Sequence, residues 1–167
     1  PDGIIDGKNL FDIVTEPTKP CDHKYPYEGM NDKLHGIRYG ELITITAGTG
    51  SGKTSFVRDL ATDLCKQGET VGILELESNT KRTALGLMSA AVGKALHIGE
   101  HEETELKEAF DATLANWHVF LFDGFGSFDP DVIYNRIEYL ASGLECRIVF
   151  LDLSLIHISE PTRRPKI

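Results

Sequence analysis

The stretch Gly48-Thr49-Gly50-Ser51-Gly52-Lys53-Thr54 constrains this chain more than any other. It follows an apolar run, Leu42-Ile43-Thr44-Ile45-Thr46-Ala47, and precedes a segment with apolar residues at helical spacing. Strand, glycine-rich loop and helix, in that order, are the setting a phosphate-binding loop needs. The glycines let successive backbone N–H groups converge on one anion, at dihedral angles that a side chain disfavours. The helix behind the loop adds its positive N-terminal end. In this reading Gly48, Thr49, Gly50, Ser51, Gly52, Lys53, Thr54 and Ser55 surround the phosphates of a nucleoside triphosphate. Lys53 reaches the β- and γ-phosphates and Thr54 holds Mg²⁺. The full pattern has glycine six residues before Lys53; Ala47 stands there, which suits an ordinary extended backbone.

The rest of the chain supplies the strands and helices such a loop requires. Residues 1–35 are polar and interrupted by Pro17, Pro20 and Pro26, and read as a linker with one short helix around residues 9–14. A first strand is expected at 41–46 and a helix from about 53 to 67. That helix carries Phe56, Val57, Leu60, Ala61, Leu64 and Cys65 on one stripe and ends at Gly68. Residues 71–76 read as a second strand. A helix capped by Ser78 or Asn79 follows, then a charged surface helix over 102–114. Residues 119–122 and 147–151 give two further strands, separated by a helix that opens at Asp129-Pro130. Strands alternating with helices predict an α/β fold, a parallel sheet covered on both faces.

Composition narrows the function. A 41% hydrophobic content is enough for a core. The formal net charge of −9 means that any nucleic-acid contact must come from a local basic site or from a channel between subunits. Cys21, Cys65 and Cys146 are scattered; the pair Cys21 and His23 has no second ligand pair at metal spacing, so no zinc site is expected. The unpaired cysteines suit a reducing compartment. No apolar run reaches membrane-spanning length, and the start carries no signal-peptide pattern.

A triphosphatase of this type needs a second acid at the end of a buried strand to hold the Mg²⁺ shell. Two stretches offer four apolar residues and then Asp: Val119-Phe120-Leu121-Phe122-Asp123 and Ile148-Val149-Phe150-Leu151-Asp152. Asp123 is followed by Gly124 and also reads as an ordinary strand-to-turn residue. Hydrolysis further needs a group to orient water near the γ-phosphate. Glu77, just past the second strand, is placed for that role, with Glu75 two residues earlier as the bland comparison.

These residues resemble the helicase domain of podophage primase–helicases and of their mitochondrial relative Twinkle. The resemblance spans about residues 1–152. It includes Pro1-Asp2-Gly3, Gly29-Met30-Asn31-Asp32-Lys33, residues 36–41 and 47–53, and Phe56-Val57-Arg58. It continues through Val71-Gly72-Ile73-Leu74-Glu75-Leu76-Glu77 to Leu140-Ala141-Ser142-Gly143-Leu144-Glu145-Cys146. It implies a RecA-like P-loop NTPase core over 36–152, incomplete at its end. It assigns Glu77 as the catalytic carboxylate beside Lys53, and Asp152, with Thr54, as the Mg²⁺ residue. It implies ATP or dTTP as substrate, single-stranded DNA as the track, a homo-oligomeric and hexameric ring, and a primase domain or replication polymerase as further partners. The setting would be the cytoplasm of a phage-infected bacterial host rather than a mitochondrial matrix, with no membrane. The lead-in resembles a linker whose short helix docks on a neighbouring subunit.

The ending departs from that pattern. Residues 153–163, Leu-Ser-Leu-Ile-His-Ile-Ser-Glu-Pro-Thr-Arg, resemble translated adapter sequence from sequencing libraries. Residues 153–167 are therefore expected to be a non-native tail. The family's later DNA-binding loops and arginine finger have no counterpart here, so this chain alone is expected to hydrolyse and unwind poorly. One alternative, a RecA-type recombinase or another ATPase of the same fold, would share the loop and Glu77; a second, a nucleotide-binding assembly module without turnover, is argued against by Lys53, Thr54 and Glu77 standing together.

Overall fold

Val71–Glu75 is buried along its whole length and forms the central strand, β1. Fully buried runs of this kind belong to parallel sheets with both faces covered. In this computed structural model, which describes residues 5–48, 50–76, 78–124 and 129–152, β1 lies between two parallel neighbours. Val119–Leu121 (β2) pairs with it on one side and Ile148–Asp152 (β3) on the other. The order β2-β1-β3 places the final strand beside the first, as crossover connections allow.

Six α-helices are described. Phe11–Thr15 (α1) and Glu28–Leu34 (α2) belong to a first compact unit that ends at Glu41. A single 3₁₀ turn, Gly7–Asn9, precedes α1. Within this unit Asn31 ties the backbone of Tyr25 from both its side-chain atoms at 2.8 Å, and His23 bridges to Ile37. The helix α2 has no counterpart in the expected polar lead-in; its only apolar residues, Met30 and Leu34, are too sparse to set a period.

The second unit starts at Leu42. Lys53–Lys66 (α3) follows the loop and buries Leu60, Ala61, Leu64 and Cys65. Thr80–Val92 (α4) packs on α3 and is capped by Asn79, whose side chain accepts from Arg82 N–H at 2.8 Å. Glu103–Asp111 (α5) leans on α4 through Met88, Leu96, Ala109 and Leu106. Pro130–Glu138 (α6) starts at the capping Asp129 and runs into a π-turn, Tyr139–Gly143. Leu140 of that turn packs on Leu74 and Leu76, with Phe120, Ile133 and Ile137 around them. Alternation along β1 sends Leu74 toward α6 and Glu75 toward α3, so helices cover both faces. The expected α/β class holds. No helix among the described residues is long and apolar enough to cross a membrane.

One expectation fails. Residues 41–46 form no strand: they carry no regular secondary structure and are exposed, with Leu42 at 93%. Apolar alternation marks a segment that suits a sheet, but a strand also needs a ladder partner. Among the described residues none pairs with this segment, and β3 is the strand at that end of the order. The tail, residues 153–167, lies outside the described residues.

Candidate nucleotide site

The loop before α3 turns on two glycines. Gly50 and Gly52 have φ of 77° and 91°, in the left-handed region that side chains disfavour. Ser51 closes the turn, its N–H and Oγ both donating to Gly48 O, at 3.2 and 2.6 Å. Gly52 is the N-cap of α3, and no side chain caps the helix there. The first turn of α3 thus presents main-chain donors and the helix's positive end without a competing side-chain acceptor. Ser55 sits exposed on that turn, while Lys53 and Thr54 are half-buried. Thr49, within the loop, lies outside the described residues.

Lys53 and Thr54 both meet Asp152. Lys53 Nζ lies 2.7 Å from Asp152 Oδ1, and Thr54 Oγ1 donates to Oδ2 at 3.1 Å. Asp152 ends β3 and is only 9% exposed. Its opposite number in the ladder is Glu75. The two acids left open by sequence pattern therefore part company. Asp123 is exposed, two residues beyond the end of β2, and accepts from Thr80 Oγ1 at 2.7 Å. Asp152 is brought to the loop and Asp123 is not.

Glu75 is also occupied. Arg58 Nη2 donates to its Oε1 at 2.9 Å and Thr83 Oγ1 to its Oε2 at 2.6 Å. Sequence reasoning treated Glu75 only as a surface comparison for Glu77; its burial and its two partners were missed. A buried acid flanked by the buried Leu74 and Leu76 needs a cation, and Arg58, on a helix facing that strand, was the visible signal. Glu77 itself lies outside the described residues.

A hydroxyl and a carboxylate converging within 3.1 Å are hard oxygen donors, the chemistry Mg²⁺ selects. A lysine beside them is a point charge suited to phosphate oxygens. The donor set therefore fits a Mg²⁺–nucleotide.

Comparison with known proteins agrees with this reading of the fold. A family model described as the DnaB-like helicase C terminal domain matches residues 24–166. The chain belongs to this family. It is also 28% identical over 172 residues to the DNA helicase/primase of Enterobacteria phage T3. That match covers 95% of this chain but 29% of the phage protein, so the chain spans under a third of this relative's length. The resemblance to phage primase–helicases is borne out, and with it the RecA-like α/β class.

Proposed function

We propose that this chain is the nucleotide-binding part of a replicative DNA helicase that couples NTP hydrolysis to movement along single-stranded DNA. The observation that carries the proposal is the convergence of Lys53 and Thr54 on Asp152 at the mouth of a glycine-rich loop. Gly48 to Ser55 bind the phosphates of ATP or dTTP. Thr54 and Asp152 hold Mg²⁺, which when bound neutralises phosphate charge. Lys53 exchanges its contact with Asp152 for the β- and γ-phosphates. Glu77 orients the attacking water and takes its proton. Residues up to 35 serve as a docking segment in a homo-oligomeric, hexameric ring, residues 36–152 as the NTPase part, and 153–167 as a non-native tail. A primase domain or a replication polymerase would act beside it, in the cytoplasm of an infected host.

Binding of a fluorescent nucleotide by this chain, with and without Mg²⁺, tests the site. Lys53→Ala should weaken binding by about tenfold or more, as expected for one lost charge-assisted contact in a phosphate site. In a complete protein carrying this domain, Glu77→Gln should preserve binding and slow DNA-stimulated hydrolysis by about 10²-fold. Unaltered binding by the Lys53 variant would overturn the nucleotide site. An equal defect in Glu75→Gln, without one in Glu77→Gln, would overturn the assignment of the catalytic acid.

A further inference from the structure

Glu75 and Asp152 are ladder partners on neighbouring parallel strands, so their side chains leave the sheet on the same face. Thr54 and Arg58 are four residues apart on α3, one turn along the same helix face. The four residues meet in pairs. Thr54 bonds Asp152 at 3.1 Å and Arg58 bonds Glu75 at 2.9 Å. Two rungs thus join the loop helix to the strand ends, one at the candidate Mg²⁺ residues and one a turn behind. A third contact extends the inner rung to α4, through Thr83 and the second oxygen of Glu75 at 2.6 Å.

The inner rung is built, not incidental. Arg58 is 14% exposed and Glu75 8%. A buried ion pair adds little net stability over an apolar pair of similar volume, because desolvation cancels most of the attraction. Something besides stability has to account for its presence. The neighbouring helix also makes room for it. Gly86 sits within α4, where glycine costs about 1 kcal/mol relative to alanine. A Cβ there would stand 2.6, 2.7 and 2.8 Å from Nε, Cζ and Cδ of Arg58. The helix gives up propensity at the one place where the arginine passes.

We infer that Arg58 is a positioning residue for the nucleotide site: by holding Glu75 it fixes the seating of α3 that presents Lys53 and Thr54 to Asp152. The inference rests on the nucleotide reading given above. Behind the Asp152 contacts, the other buried side chains of α3 include the apolar Leu60, Ala61 and Leu64, whose packing is non-directional and tolerates sliding. A charge-assisted bond one turn from Thr54 does not tolerate it. Arg58 touches no substrate in this scheme; it acts through the helix it belongs to.

The test separates seating from stability. Arg58→Met alone leaves Glu75 buried and unpaired and is expected to unfold part of the chain, so the informative variant is the double Arg58→Met/Glu75→Met. Thr83 then keeps its second acceptor, Asn79 O. The double variant should melt within a few degrees of the parent chain, since both charges leave together, as about expected for an apolar replacement. Its Kd for a fluorescent Mg-nucleotide should nonetheless rise about tenfold, as for one mis-set contact. Gly86→Ala provides an independent arm. It gains helix propensity and shifts the guanidinium without removing its charge, so its Kd should rise about three- to tenfold with only a small change in melting temperature. A folded double variant with parental affinity would overturn the inference. If the double variant does not fold, parental affinity in Gly86→Ala would overturn it equally, and a raised Kd there would uphold it. Failure of the unmodified chain to bind Mg-nucleotide would instead remove the nucleotide reading on which the inference stands.

Discussion

Asp152 and Asp123 end similar apolar runs, and single residues decide which one serves the loop. Asp152 is the fifth residue of β3 and stays in register with β1, so its carboxylate is delivered to α3. Pairing of β2 stops at Leu121, and Asp123 turns away to Thr80. Asp152→Asn should therefore weaken Mg²⁺-dependent nucleotide binding by about tenfold, and Asp123→Asn by less than about twofold. A Mg²⁺ titration of nucleotide fluorescence reads both. The cysteines make a second residue-level contrast. Burial pushes the Cys65 thiol up to about 11 and raises Cys146 as well, so the reactive thiolate is scarce at both. Cys21 is only half-buried. In the folded chain a thiol reagent should label Cys21 first, with Cys65 and Cys146 reacting at the rate of unfolding. Simultaneous labelling of all three would contradict the burial of Cys65 on α3 and of Cys146 against Leu74, Leu76 and Leu140.

Elements were legible where a local signal and a tertiary partner coincide. The stripe from Phe56 to Cys65 forms the buried side of α3 within a residue of its expected end, because capping glycines and apolar period agree. Asn79, rather than Ser78, proves to be the cap of α4. Residues 41–46 carried equally good local chemistry and failed for want of a ladder partner. Arg58 and Glu75 carried the opposite lesson: each was a readable residue type, but their pairing depends on the crossing of α3 over β1, which local pattern does not contain. At this scale α5 carries a pH dependence. Its Glu105 accepts from His101 Nδ1 at 3.1 Å and pairs with Lys94 from the preceding turn. The Glu105 hydrogen bond raises His101 above its ordinary 6.5, and Lys94 first, then His101, lowers Glu105 below 4.5. The raised histidine contributes fully below 6.5, and its contribution is lost as pH rises through its folded value. The lowered glutamate contributes above 4.5, and its contribution is lost as pH falls through its folded value. The attachment of α5 is then firmest between these limits. Amide exchange in α5, corrected for intrinsic rates, should be faster at about pH 8.5 than at about pH 6. His101→Gln should remove that difference, and an unchanged profile would show the clamp to be idle.

At the scale of the molecule, the first unit carries an apolar surface out of proportion to its size. Phe11 is 74% exposed and Val14 72%, with Leu10 and Ile13 beside them on or next to α1. Clustered exposed apolar side chains mark contact surfaces, and in the ring proposed above the contact would be another copy of the same chain. Deleting residues 1–20 from a complete protein should cut ring assembly, seen by light scattering, while leaving the nucleotide Kd within about twofold. Intact rings after the deletion would refute the docking role. Family and fold class were readable from residues 1–152, because the glycine-rich loop is a local motif and the acid-ending strand is strongly apolar. The meeting of Thr54 with Asp152 was reached only through the family resemblance, since residue pattern alone left Asp123 and Asp152 both open.

That meeting also sets an order of events. The turn of the loop is closed by a bond spanning three residues, from Ser51 to Gly48. Thr54 meets Asp152 across 98 residues of chain. Local contacts form early and distant ones late, since the entropy of closing the long segment must be met first. A refolding chain should thus acquire phosphate affinity before it acquires metal dependence. Followed with a fluorescent nucleotide, the signal in EDTA should plateau ahead of the extra signal that Mg²⁺ adds. Two plateaus reached together would mean that loop and acid assemble in a single step, and that β3 docks no later than α3.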